Sequence, residues 1–295
     1  MPASHIYDAP PEGAAADWTI DQDWASFTFK QHETWRTLFH QQSAALARYA
    51  CRDFLKGLKL LGHIARGIPD FADLNRRLGP ATGWEVVAVP GWIPNRPFFE
   101  HLANRRFPAA NFLRPPERIG YSEEPDMFHD IFGHVPMLIN PAFSQFLVAY
   151  GEAGLRAEKL GAADFLGRLW LYTTEFGLVV EEGELRAFGG GLLSSYAECV
   201  AALTSPAPRR VWLDIERVMR TQYHFDRFQH IYFVVEGFVH LLRATEEADF
   251  AGIYRNISGE PALQPEDGFR GDRVYDGPLQ PVRRGPAFMK RKPRR

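Results

Sequence analysis

Apolar side chains recur at three- and four-residue spacing over long stretches of the chain, and helices are the first elements this pattern predicts. From Gln31 to Ile64 the positions Trp35, Leu38, Phe39, Leu46, Tyr49, Phe54, Leu58 and Leu61 keep that period. A shorter helix is expected over Pro69 to Leu78, stopped by Gly79-Pro80. Further helical patterns cover Arg96 to Arg105, Pro125 to Pro136, 141–160, 163–182 and Phe228 to Glu247. Ser195-Tyr196-Ala197-Glu198 has the spacing of a capping box and should open another helix. Period-two or β-branched runs are few: Trp84 to Val89 and Glu184 to Phe188 read as strands, and Ala109 to Leu113 as extended chain. Beyond Gly252 proline and glycine punctuate the sequence, so little regular structure is expected there apart from a short strand. The sum is one mainly α domain with a few short β-strands. Its expected divisions are a flexible arm over 1–25, a main folded domain over 26–250, and a Pro/Gly-rich segment with a basic tail over 251–295.

Composition narrows the chemistry. Cys51 and Cys199 are the two cysteines, too few for a disulfide framework or a thiolate metal site, so any protein-bound metal must rest on the ten histidines and on carboxylates. The N-terminus has no basic region followed by an apolar run, and Ile231 to Leu242 is too short to span a bilayer and carries Glu236 and His240. A soluble, cytoplasmic protein is expected. Arg283 to Arg295 holds seven basic residues and no acid, which leaves 27 basic against 36 acidic groups in the rest of the chain. That acidic body argues against nucleic acid as a partner, and the tail reads as a solvated terminus.

The densest chemistry lies in Pro125-Asp126-Met127-Phe128-His129-Asp130-Ile131-Phe132-Gly133-His134-Val135-Pro136. On an unbroken α-helix two imidazoles five apart point about 140° away from each other. The difficulty eases if Gly133 leaves helical geometry ahead of Pro136 and turns His134 back. The H-E-x-x-H pattern of zinc proteases is absent. Glu175, in an apolar helical run, is the attractive third ligand, since a buried carboxylate needs a compensating cation. Two histidines and a carboxylate form the facial triad of non-haem iron(II). Spacing alone leaves open a surface histidine and a glutamate paired in the core.

These motifs, followed by Glu175-Phe176-Gly177 and then Gly191-Leu192-Leu193-Ser194-Ser195, resemble the signature of the pterin-dependent aromatic amino acid hydroxylases. The likeness runs from about Asp21 to residue 240, with three motifs in order. The resemblance implies that fold, with Fe(II) held by His129, His134 and Glu175, and a tetrahydropterin cofactor. It also implies hydroxylation of L-phenylalanine to L-tyrosine with O₂. Arg114 falls where the family clamps the amino-acid carboxylate, a role suited to a guanidinium fork. Asp126 falls where an acid holds that arginine, and Ser122 at a substrate-side hydroxyl position where threonine is frequent. Gly91 to Phe99 resembles the pterin loop, with Phe98 as the stacking ring, Ile93 beside it, and Asp130 holding the pterin or a metal-bound water. Ser194 and Glu198 fall where the family places groups near the iron ligands and substrate. Phe176 and Trp170 are the expected aromatic walls, although many relatives have Tyr-Trp where this chain has Trp170-Leu171.

The resemblance takes up nearly the whole chain, so neither the regulatory domain nor the tetramerisation helix of animal relatives is expected, which implies a monomer. The same machinery acting on tryptophan, a non-catalytic amino-acid-binding relative, and a zinc hydrolase are the alternatives. His224, Asp226 and His230 are too divergent in spacing for a metal, and Gly189-Gly190-Gly191 lacks the Lys-Ser/Thr of a phosphate loop.

Overall fold

The computed structural model describes residues 9–119, 124–224 and 227–282. Ser122, Asp226 and the basic tail from Arg283 lie outside the described residues. The architecture is mainly helical, with two small sheets. Helix α1 (Phe29–Leu46) starts on a capping box in which Thr28 accepts from the Gln31 N–H and the Gln31 side chain returns a bond. The single helix expected over 31–64 is broken. Tyr49 and Cys51 instead bond the backbone of Ala187, a short sheet-like contact, before α2 (Arg52–Leu60) and a 3₁₀ turn (Gly62–Arg66). That exchange of backbone bonds with a strand is invisible to a helical period.

Helix α3 (Phe71–Thr82) runs through Gly79-Pro80 rather than stopping there. Pro80 removes one backbone bond near the end of the helix, and Gly83, at φ 75°, closes it with an N–H to Gly79 O of 2.8 Å. Strand β1 (Glu85–Val89), helix α4 (Asn95–Ala103) and β2 (Arg106–Ala110) follow, the strands parallel from Glu85↔Arg106 to Val89↔Ala110. Helix α5 (Pro141–Lys159), capped by Asn140, packs its buried face against α4. Helix α6 (Ala163–Trp170) continues into a π turn (Leu171–Glu175).

The expected helix over 163–182 therefore ends at Glu175, because Leu178–Glu181 is strand β3, paired antiparallel with β4 (Glu184–Ala187). Short α7 (Gly190–Ser194) leads to α8 (Tyr196–Thr204). Ser195 stands at the start of α8 but makes no side-chain cap bond. Strand β5 (Arg209–Trp212) and α9 (Ile215–Arg220) precede β6 (Ile231–Val235), α10 (Phe238–Glu247) and α11 (Phe250–Ile257). The helix expected over 228–247 is thus corrected in its first half. β6 lies between β3 and β5, parallel to both, in the order β4-β3-β6-β5, and all its residues are buried. A strand covered on both faces is apolar throughout and shows no alternation. Helix α11 reaches past Gly252, beyond the limit expected for regular structure. Among the described residues no single helix is long and apolar enough to cross a membrane.

Candidate metal centre

The two histidines meet because residues His129–His134 wind as a π-helix. An i→i+5 register stacks residues five apart, as an α-helix stacks residues four apart, so no kink at Gly133 is needed. The Nε2 atoms of His129 and His134 come to 3.1 Å. The same device recurs at Leu171–Glu175, where Phe176 N–H reaches back five residues to Leu171 O at 2.9 Å. It delivers Glu175 between the imidazoles, with Oε2 3.4 Å from His129 Nε2 and Oε1 3.2 Å from His134 Nε2.

This triangle fits a metal ion. Donor bonds of roughly 2.1 Å at right angles put neighbouring donor atoms roughly 3 Å apart. Among the described residues, these three alone form a cluster of metal-ligating side chains, with donor atoms all within 4.8 Å. Burial would push the Glu175 carboxyl up, but the charges of His134 and His129 hold it well below the usual carboxylate range. Burial likewise depresses His129, and Glu175, Asp130 and Asp126 override it, leaving the imidazole raised. A site that draws positive charge so strongly is suited to a cation.

The surroundings fix the ligands. Ser194 Oγ–H donates to Gly190 O at 2.8 Å, so it accepts from Nδ1–H of His129 at 2.9 Å. This places the proton on Nδ1 and leaves the Nε2 lone pair for a metal. Gly190 lies against the His134 ring, where a Cβ would fall 2.3 Å from Cε1. A Cβ on Gly133 would fall 2.7 Å from Gly190 O. Sequence reasoning missed this use of the glycine run, which brings a backbone against a ligand. Trp170, expected as a substrate wall, also donates its Nε1–H to Glu175 Oε1 at 2.8 Å.

Arg114 and Asp126 form a buried fork, with Nε to Oδ2 and Nη2 to Oδ1 both 2.7 Å. Asp126 also accepts the backbone N–H groups of Arg114 at 2.9 Å and His129 at 3.1 Å, so one carboxylate joins the arginine to the first ligand. Complete burial favours its neutral form, yet Arg114 keeps its pKa below the ordinary value. Asp130 accepts from Ala110 N–H at 2.8 Å, and burial lifts its pKa to about 6 against the opposing charge of His129. Ile93 is buried in a small cluster with Trp18 and Val89, with half-buried Phe98 packed on it. The Phe98 ring meets Trp170 edge-on at 5.0 Å. Half-buried Phe176 borders the Gly191 backbone. Glu198 Oε1 accepts from Gln229 N–H at 3.0 Å and Tyr232 O–H at 3.1 Å, which ties α8 to β6 and to the residues just before it. His230 pairs with Glu266 at 2.6 Å.

Two imidazoles and one carboxylate on one side of an ion are the donor set of the mononuclear non-haem iron(II) oxygenases. Residues 18–251 match the biopterin-dependent aromatic amino acid hydroxylases, and the chain belongs to that family. It is 46% identical over 274 residues to the phenylalanine-4-hydroxylase of Caulobacter vibrioides, covering 93% of each chain. With the phenylalanine-4-hydroxylase of Ralstonia nicotianae it shares 48% identity, over 88% of this chain and 83% of that one. The structure of Chromobacterium violaceum phenylalanine hydroxylase with bound oxidised Fe(III) superposes with a TM-score of 0.86 at 44% identity, over 92% and 96% of the two chains. The cobalt-bound form also gives 0.86, at 45% identity over 88% and 94%.

Proposed function

We propose that this chain hydroxylates L-phenylalanine to L-tyrosine, using Fe(II), a tetrahydropterin and O₂. The observation that carries the reading is the meeting of His129, His134 and Glu175 at 3.1–3.4 Å. Bound together, iron and a tetrahydropterin supply the activation of O₂, one atom of which goes to the aromatic ring and the other to the pterin.

The chain's own residues bind, orient and exclude water. Arg114, held in place by Asp126, offers its guanidinium to the amino-acid carboxylate, and the Asp126 link to His129 N–H keeps that anchor in register with the metal. Ser194 keeps the His129 proton on Nδ1. Phe98 presents a half-buried aromatic face, with Ile93 beneath it, on which a pterin ring can stack. Asp130 stands next to His129 as a polar contact for that cofactor. Trp170 and Phe176 supply apolar walls, and Phe107, tilted on the His134 ring at 5.4 Å, closes one flank against water. Ser122 serves the substrate side. Glu198, held by Gln229 and Tyr232, lies in the helix that follows Ser194.

The unit that does this spans 26–250 and works as a cytoplasmic monomer on small molecules, without nucleic acid or membrane. The net acidity of the chain before its basic tail supports that partner class. Turnover of an equal mixture of phenylalanine and tryptophan, with Fe(II) and tetrahydropterin, tests the reading. Tyrosine is the expected main product. Hydroxytryptophan in excess, or no product, would refute it.

A further inference from the structure

Trp170 sits where three parts of the centre meet. Its indole Nε1–H donates to Oε1 of Glu175 at 2.8 Å. Its ring lies 5.9 Å from the His134 ring, 5.3 Å from Tyr150, and takes the Phe98 ring edge-on at 5.0 Å and 82°. An indole N–H only donates, and it does not lose its proton over the range in which proteins fold. A carboxylate oxygen engaged by such a donor has less electron density to give a metal than its twin, and its plane is fixed by the bond. The five-residue separation of Trp170 and Glu175 across the π turn is what brings the indole above the carboxylate.

We propose that Trp170 is a positioning residue of the metal centre. Its Nε1–H engages Oε1 of Glu175 and fixes the plane of the carboxylate between the two imidazoles, while its ring ties that carboxylate to the aromatic face of Phe98. The edge contact with Phe98 makes the orientation of Glu175 sensitive to what lies on that face.

The inference rests on the metal reading above, and the test separates the two. Co(II) alone, with neither pterin nor amino acid, is titrated into wild type, Trp170→Phe and Trp170→Tyr, and the visible absorption and dissociation constant are read. Trp170→Phe keeps a ring against Phe98 but has no donor. It is expected to bind Co(II) about 10–100-fold more weakly, with a changed visible band that reports a carboxylate no longer held in place. Trp170→Tyr, which returns an O–H donor, is expected to recover part of both. If folded Trp170→Phe gives the wild-type spectrum and affinity, the role of Trp170 is overturned and the metal centre stands. If wild type binds no Co(II), the metal centre itself falls, and this inference with it. A second measurement needs no variant: in ¹⁵N-labelled wild type the Trp170 indole N–H is expected to exchange slowly with solvent both before and after Zn(II) is added. Free exchange in either state would overturn the proposal.

Discussion

Two buried arginine–aspartate pairs serve opposite ends. Arg217 and Asp272, with side chains 3% and 2% exposed, form a closed set. Arg217 Nε reaches Asp272 Oδ1 at 2.8 Å, Nη1 reaches Thr221 Oγ1 at 2.7 Å and Nη2 reaches Asp267 O at 3.2 Å, with Phe269 lying over the guanidinium. Asp272 Oδ2 takes Arg209 and the Phe269 N–H as well. Arg114 and Asp126 are 9% and 0% exposed, but Nε and Nη2 are both spent on one carboxylate, and among the described residues Nη1 donates to nothing. The closed pair staples the C-terminal segment to α9, whereas the role proposed for the other pair calls on the nitrogen that Asp126 does not engage. Burial alone does not tell the two pairs apart; the partners of each guanidinium nitrogen do.

The largest effect is expected from breaking the closed pair. Arg217→Met leaves Asp272 buried with less compensation and should cost about 3–5 kcal/mol of folding stability, read by denaturant unfolding, with the phenylalanine KM of the surviving folded enzyme unchanged. A shifted KM would erase the contrast. Next comes Arg114→Lys, which keeps a charge beside Asp126 but loses the fork. It should lose about 1.5–3 kcal/mol of substrate binding, a roughly ten- to hundredfold rise in KM, with little change in unfolding midpoint. Ser194→Ala removes the acceptor of His129 Nδ1–H and should lower metal affinity by about 10–100-fold, measured by chelator competition, again without unfolding. The smallest effect is in acid. The folded pKa values of Asp126 and Asp272 are both held below the ordinary one, by Arg114 and by Arg217 against the opposing effect of burial. Their contribution to stability is therefore complete above the ordinary aspartate value and is lost as pH falls through the depressed ones. Asp126→Asn should flatten that part of the acid limb below about pH 4, and an unchanged slope would show that the pair is not charged in the fold.

How much of this was legible in the sequence depended on distance along the chain. His129 and His134 are local, and their residue types were plain, but the π winding that joins them follows from no period, since the pattern of apolar residues around them suits an α-helix as well. Glu175 and Arg114 came from ordered motifs. Arg217 and Asp272 were not seen: they lie 55 residues apart, and Asp272 falls in a stretch whose prolines and glycines read as irregular. The buried strand β6 reads as helix in the sequence because a strand covered on both faces carries no alternation. The glycine run carries no motif that a sequence reveals, because what it serves is the close approach of Gly190 to the His134 ring.

The central claim is that His129, His134 and Glu175 hold the iron that hydroxylates phenylalanine. Iron content and tyrosine formation, measured together on wild type and Glu175→Ala after Fe(II) loading, test it most directly. The account predicts about one iron per wild-type chain with tyrosine formed from phenylalanine, and loss of both in a variant that remains folded. Undiminished iron and tyrosine in Glu175→Ala would contradict it.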